Sequence, residues 1–213
     1  MIVQELSKPE PDGRKSHIYI FDRPEDWAEF QKAGELEPWT GGIQSSGSLF
    51  VQRDPSYKFS GHALGHEIAH LLIYRYDGRN VPTWLNEGFA EYVSRNSRAS
   101  YQRARGYFAK PHSSSIAPGQ LIPINLLMTY DRAPNDRVDS YYDETERLVR
   151  FLAQADHVRF LALMTALSAE ERFDPALLRI YAGVFASRAD FDAKFRAYTA
   201  KDFGTSLQDH QQG

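Results

Sequence analysis

Cysteine is absent from all 213 residues. Disulfides, thiol nucleophiles and thiolate metal ligands are thereby excluded, so any metal site in this chain must be built from histidine and carboxylate. Excess charge of one sign is missing too. The 25 Lys and Arg stand against 28 Asp and Glu, a formal net charge of -3 with a pI near 6.2. That balance gives no electrostatic reason to expect nucleic acid or an anionic membrane surface as a partner. No run of like charges forms a tail. No segment reaches about 18 consecutive apolar residues, so no transmembrane segment is expected. The stretch from Met1 to Phe21 lacks the basic region and long apolar run of a signal peptide. Read from Met1, the chain is expected to be soluble and cytoplasmic; with a leader removed ahead of Met1, it would be periplasmic or secreted. Internal repeats and low-complexity tracts are also missing, and nothing in the sequence speaks to oligomeric state.

The residues that are present make an ordinary globular mixture, 42% hydrophobic and 25% charged. A chain of this length buries a real core. The pattern predicts an α+β fold in a single domain over 1–213, strand-containing to about residue 100 and helical over 101–213. His17 to Phe21 reads as a short buried strand. Pro24 opens a helix with Trp27 and Phe30 on one face and Gly34 as its stop. Leu49 to Val51 forms a second strand, whose flanking glycines and serines allow a hairpin. Ser60 caps a helix with apolar residues at Leu64, Ile68, Leu71 and Leu72, ended by Asp77-Gly78. Pro82 and Thr83 start another, from Trp84 to about Arg95. The region 110–127 is the most loop-like, with Ser113 to Ser115 exposed. Helical spacing then returns over 139–155, 157–167, 175–187 and 189–200.

The chemistry concentrates in "GHEIAH". Residues four apart on a helix share a face, so His66 and His70 can present two imidazole nitrogens to one ion. Glu67 follows the first histidine about 100° around the axis, beside the ion rather than on it, where its carboxylate can take a proton from water. The pair alone is also compatible with a helix face that merely packs. A catalytic zinc site needs a third protein ligand and a position left for water. "VPTWLNEGFAEYVS" supplies the ligand: Glu87 lies on the next helix, after a short turn. Glu91, one turn further, is placed to accept the second ring N–H of a ligand histidine. Both could instead form a solvated face, but Trp84, Leu85, Phe89, Ala90 and Val93 leave little of this helix for solvent. His62 extends the row at the same spacing, but three histidines so arranged span about 12 Å, too far for one ion. It is expected at the pocket mouth. His17, His112, His157 and His210 have no partners in sequence.

The combination of "HEIAH" with "WLNEGFAEY" resembles the gluzincin metallopeptidases, in particular bacterial peptidase MA-like families, and is distantly similar to the aminopeptidase N group. The likeness spans roughly residues 60 to 155. It implies a zincin-like fold and one Zn2+ per chain, with His66, His70 and Glu87 as ligands and Glu67 as general base. It also implies a tyrosine on the downstream helix "YYDETERLVRFL" that donates to the oxyanion. Tyr142 matches best, with Arg150 and Phe151 in register, and Tyr141 is the alternative. By the same resemblance, "SGSLFVQ" is the edge strand along which a peptide would pair. The spacer from His70 to Glu87 is shorter than in aminopeptidase N. The Gly-Ala-Met-Glu-Asn segment that holds a free N-terminus there is missing, so an exopeptidase is not supported.

The expected activity is zinc-dependent hydrolysis of peptide bonds, in an endopeptidase acting on a peptide or protein substrate. Two alternatives stand beside it. One is a zinc hydrolase of a non-polypeptide amide, because the metal machinery does not choose the substrate. The other is a catalytically silent peptidase-like binding module, which the intact Glu67 argues against.

Overall fold

Short runs rich in aromatic and β-branched residues build a three-stranded sheet. In the computed structural model, strand β1 (Ile18–Phe21) pairs parallel with β3 (Ser48–Gln52), and β2 (Gly42–Ser45) pairs antiparallel on the other side of β3, giving the order β1-β3-β2. The structure describes residues 15–53, 61–76, 80–104 and 121–209, and at 61, 62, 76, 101–104 and 202–209 only the helical backbone. The expected Ser60 cap, the Asp77-Gly78 stop and the exposed Ser113 to Ser115 lie outside these residues.

Strands β2 and β3 are a hairpin with a two-residue turn. Ser46 (φ 50°) and Gly47 (φ 80°) are both left-handed, the turn whose twist matches the flanking strands. The hairpin corrects one expectation. "SLFVQ" is the central strand, paired on both sides, and β2 is the edge strand instead. Gln52 N–H donates to the Gly41 carbonyl at 3.0 Å. By antiparallel alternation, Gly42 and Gln44 then turn their backbone groups away from β3. A second correction concerns β1, which was expected to be buried. As the other edge of the sheet it leaves Ile18, Tyr19 and Ile20 between 45% and 49% exposed.

Helix α1 (Pro24–Ala33) covers one face of the sheet. Its aromatic residues make the contact: Trp27 meets Phe21 at 5.2 Å between ring centroids, and Phe30 stacks on Phe50 at 5.0 Å. Helix α1 ends at Gly34, as expected, but the left-handed residue is Glu35 (φ 51°). Its N–H and that of Leu36 return to the Lys32 and Gln31 carbonyls, the double bond pattern that closes a helix end. Leu49 and Val51 point to the opposite face, each 1% exposed, where helix α2 (Gly61–Tyr76) lies.

Helix α3 (Thr83–Ala104) runs nine residues past the expected Arg95 end and packs between α2 and α5 (Val138–Ala155). Its buried stripe of Leu85, Phe89, Ala90 and Val93 shares a core with Leu148, Val149 and Leu152. Each large side chain in that core contributes roughly 1.5–3 kcal/mol by leaving water. Gly88 allows the close approach: a Cβ there would sit 2.4 Å from the Thr145 carbonyl oxygen. The remaining helices are α4 (Ile124–Leu127), α6 (His157–Ser168), α7 (Phe173–Ile180) and α8 (Arg188–Asp209). Helix α7 stops at Ile180, where the sequence pattern continued to Ser187, and Gly183 (φ 82°) turns the chain. Phe151, Phe185, Phe191 and Phe195 hold this end together through ring contacts of 5.1–6.3 Å. The architecture is α+β and mostly helical, and among the described residues no helix is long and apolar enough to cross a membrane.

Candidate metal centre

Helical period places His66, Glu67 and His70 along one side of α2, and the packing of α3 against it brings Asn86, Glu87 and Glu91 opposite. The two Nε2 atoms face each other at 2.9 Å. Glu87 Oε2 stands 3.3 Å from His66 Nε2 and 3.5 Å from His70 Nε2. One ligand atom from each residue lies within 4.8 Å of the others, and this is the one such group among the described residues.

The outward nitrogens set the chemistry of the inward ones. His66 Nδ1 donates to Glu91 Oε1 at 3.0 Å, and His70 Nδ1 donates to Asn86 Oδ1 at 3.0 Å. A carboxylate only accepts, so the proton of the neutral His66 ring belongs on Nδ1 and its Nε2 lone pair faces inward. The same reasoning holds for His70 with the amide oxygen. Two lone pairs and a carboxylate oxygen converging in a partly dry site need positive charge between them. Burial disfavours protonation of His66, yet its hydrogen bonds to Glu87 and Glu91 outweigh burial and raise it to about 10. His70 also rises, against burial, through its hydrogen bond to Glu87. Burial pushes the Glu87 carboxyl up, but the bonds from both histidines win and hold it down at about 2. Two imidazoles and one carboxylate, each imidazole oriented from behind, could hold a metal ion.

Glu67 is held beside this trio. It is 6% exposed, and burial raises its carboxyl above the usual range, while the two imidazoles and the Gln44 backbone N–H act in the other direction. Gly42 leaves it room: a Cβ at Gly42 would lie 2.7 Å from Glu67 Cγ and 3.1 Å from Oε1. The edge strand and the glutamate therefore touch directly. Tyr142 stands across the cleft, its ring edge-on to His66 at 6.1 Å. Burial, then the charges of Glu87 and Glu91, push its hydroxyl above the usual range, so it remains a proton donor. Tyr141 turns away into the core, 0% exposed, between the rings of Tyr130 and Tyr142, and its hydroxyl has no hydrogen-bond partner among the described residues.

The structure thus brings His66, Glu67, His70, Glu87, Glu91 and Tyr142 together. Arg150 and Phe151 lie elsewhere, Arg150 on Glu146 and Tyr198 and Phe151 in the aromatic cluster. His62 belongs to the first turn of α2, with its side chain outside the described residues, as are His112 and His210. His17 is exposed and His157 begins α6. Asn86 was not anticipated. A signal was available: asparagine is a poor helix former, and here it occupies the first turn of a helix, directly before the Glu87 ligand position. Gln44 and Gly42 carried no such signal, because nothing local ties them to residues on α2.

These residues line a cleft of about 400 Å³, with Ile43, Ile73, Tyr74 and Val81 forming an apolar part of its wall. No family model matches the chain, and no curated protein matches it.

Proposed function

We propose that the protein is a zinc-dependent metallopeptidase with a zincin-like fold, acting as an endopeptidase. One observation carries the reading: Nε2 of His66, Nε2 of His70 and Glu87 Oε2 converge in the same cleft as a buried Glu67 that lies against Gly42 of the edge strand. The ligands are His66, His70 and Glu87. Zinc, when bound, supplies a Lewis acid and makes water a stronger acid.

The chain's own groups do the rest. Glu91 and Asn86 hold the two imidazoles so that each presents Nε2. Glu67 takes the proton from the attacking water and delivers it to the leaving nitrogen. The Tyr142 hydroxyl donates to the oxygen on which negative charge develops. The outward-facing backbone groups of Gly42 and the Gln44 carbonyl on β2 accept an extended peptide as an added strand, while the Gln44 N–H stays with Glu67; this mode reads main chain rather than sequence. Among the described residues, the cleft lining includes no lysine or arginine, and its carboxylates are Glu67 and Glu87. Among those described residues, no group is dedicated to a terminal carboxylate or amine, in keeping with the internal cleavage proposed.

The test combines metal analysis with turnover on an unfolded protein substrate. Purified protein carries close to one zinc per chain, and Glu67→Gln keeps it while losing about 10²–10⁴-fold in turnover. Metal-free protein of undiminished stability would sink the site, and a fully active Glu67→Gln would remove the base. Tyr142→Phe costs about 10²-fold. Tyr141→Phe, which deletes only an unpaired buried hydroxyl, leaves turnover unchanged. Zinc binding without cleavage of any peptide would favour the silent binding module.

A further inference from the structure

A cluster of buried charges lies behind the cleft and connects to it through Glu91. Both oxygens of this carboxylate are engaged: Oε1 accepts from His66 Nδ1 at 3.0 Å and Oε2 meets Arg95 Nε at 3.2 Å. Arg95 then reaches a different helix. Its Nη1 donates to Asp143 Oδ1 at 3.3 Å and to Glu146 Oε2 at 3.2 Å, both on α5. Arg147, 0% exposed, holds Asp143 at 2.7 Å and Glu144 at 2.6 Å. Arg150 holds Glu146 at 3.0 Å and donates to the Tyr198 hydroxyl at 2.9 Å. One connected line of ion pairs and charge-assisted hydrogen bonds runs from His66 on α2, through α3, to α5 and α8.

We propose that Arg95 is a positioning residue for the metal centre, fixing Glu91 and the His66 ring relative to α5, the helix that carries Tyr142. The inference rests on the reading of His66 as a metal ligand. A carboxylate bonded at one oxygen keeps its rotation about the last side-chain torsion. A second bond, from the residue one turn further along α3, removes that freedom and directs Oε1 at Nδ1. Arginine suits the position because its planar fork serves acceptors on two helices at once, which a lysine ammonium does less well. Asp143 is the chain neighbour of Tyr142, whose ring stands 6.1 Å from His66. The ligand ring and the tyrosine are thereby referenced to the same guanidinium, although Arg95 itself is not among the cleft residues.

The experiment uses the full chain and reads zinc affinity by chelator competition, the visible spectrum of the cobalt(II)-substituted protein, and the stability of the metal-free form. Arg95→Met weakens zinc binding about 10- to 100-fold and changes the cobalt spectrum. Arg95→Lys recovers part of the loss. Glu146→Gln, on another helix and touching no proposed ligand, weakens zinc about 2- to 30-fold. In a Glu91→Ala background, Arg95→Met adds nothing, because its effect passes through Glu91. A purely structural Arg95 would instead lower the stability of the metal-free protein and leave zinc affinity and the cobalt spectrum at wild-type values. That outcome, or full additivity with Glu91→Ala, overturns the proposal. Should Arg95→Met fail to fold, Glu146→Gln decides: wild-type zinc affinity there refutes the coupling. Wild-type protein that binds neither zinc nor cobalt refutes the metal reading, whereas a wild type that binds and an Arg95→Met that binds equally refute only the role of Arg95.

Discussion

Two buried groups of carboxylates meet at Glu91 and are neutralised in opposite ways. On the α5 side, Asp143, Glu144 and Glu146 face Arg95, Arg147 and Arg150 at 2.6–3.3 Å. On the cleft side, Glu87 and Glu91 face the imidazoles of His66 and His70. A guanidinium is charged at every ordinary pH, so the first group carries its counter-charge permanently. An imidazole carries its charge as a bound proton that a metal can replace, so the second holds positive charge only when a proton or a metal supplies it. The arginine side holds its positive charge in fixed side chains, whereas the histidine side is a group that could hold a metal ion. The same residue types on the acidic side serve both.

That contrast can be broken from either end. The largest effect is expected from Arg147→Met, which leaves Asp143 and Glu144 without their fully buried partner. Removing one member of a buried ion pair costs about 3–5 kcal/mol, read by chemical denaturation. A loss below about 1 kcal/mol would show that the α5 charges are not the fixed framework described here. Next, Asn86→Ala removes the acceptor that orients His70 and weakens zinc about 10- to 100-fold, with the fold retained. Unchanged affinity would mean that His70 is oriented by packing alone. The smallest effect is a pH slope. His66 is raised to about 10 in the metal-free protein, so at neutral pH it carries a proton that the metal must displace. Zinc affinity then rises with pH, by about tenfold per unit for one proton, and falls as the solution is acidified. Calorimetry in buffers of different ionisation enthalpy counts the released proton; none released would contradict the arrangement.

Much of the candidate site was legible in the residues because it is periodic. His66 and His70, and likewise Glu87 and Glu91, are pairs at helical spacing, and the helix backbone alone puts each pair on one face. The strands were legible as elements but not in their order. Leu49 to Val51 reads as a strand from its residue types, yet nothing in those residues says that it is flanked on both sides and that Gly42 to Ser45 takes the edge. The exposure of Ile18, Tyr19 and Ile20 was misread for the same reason: an apolar run does not reveal whether a second strand will cover it. Arg95 lay at the expected end of its helix, and its partners sit about fifty residues away on α5, beyond the reach of any local pattern.

Residue types and helical period were enough to set the kind of donors and their pairing. With no cysteine, imidazole and carboxylate are what remains, and the 3.6-residue period of the helix aligns them without help from the rest of the chain. What those donors meet came from long-range packing. It set Glu87 across from both histidines, Glu67 against Gly42 and Gln44, Tyr142 rather than Tyr141 in the cleft, and Arg95 between Glu91 and α5. The physical reason is a difference of range. Periodicity belongs to the local backbone, whereas the meeting of α2, α3, α5 and β2 is the sum of many weak contacts between distant residues, such as the passage of Gly88 past Thr145, and no stretch of the chain holds that sum on its own.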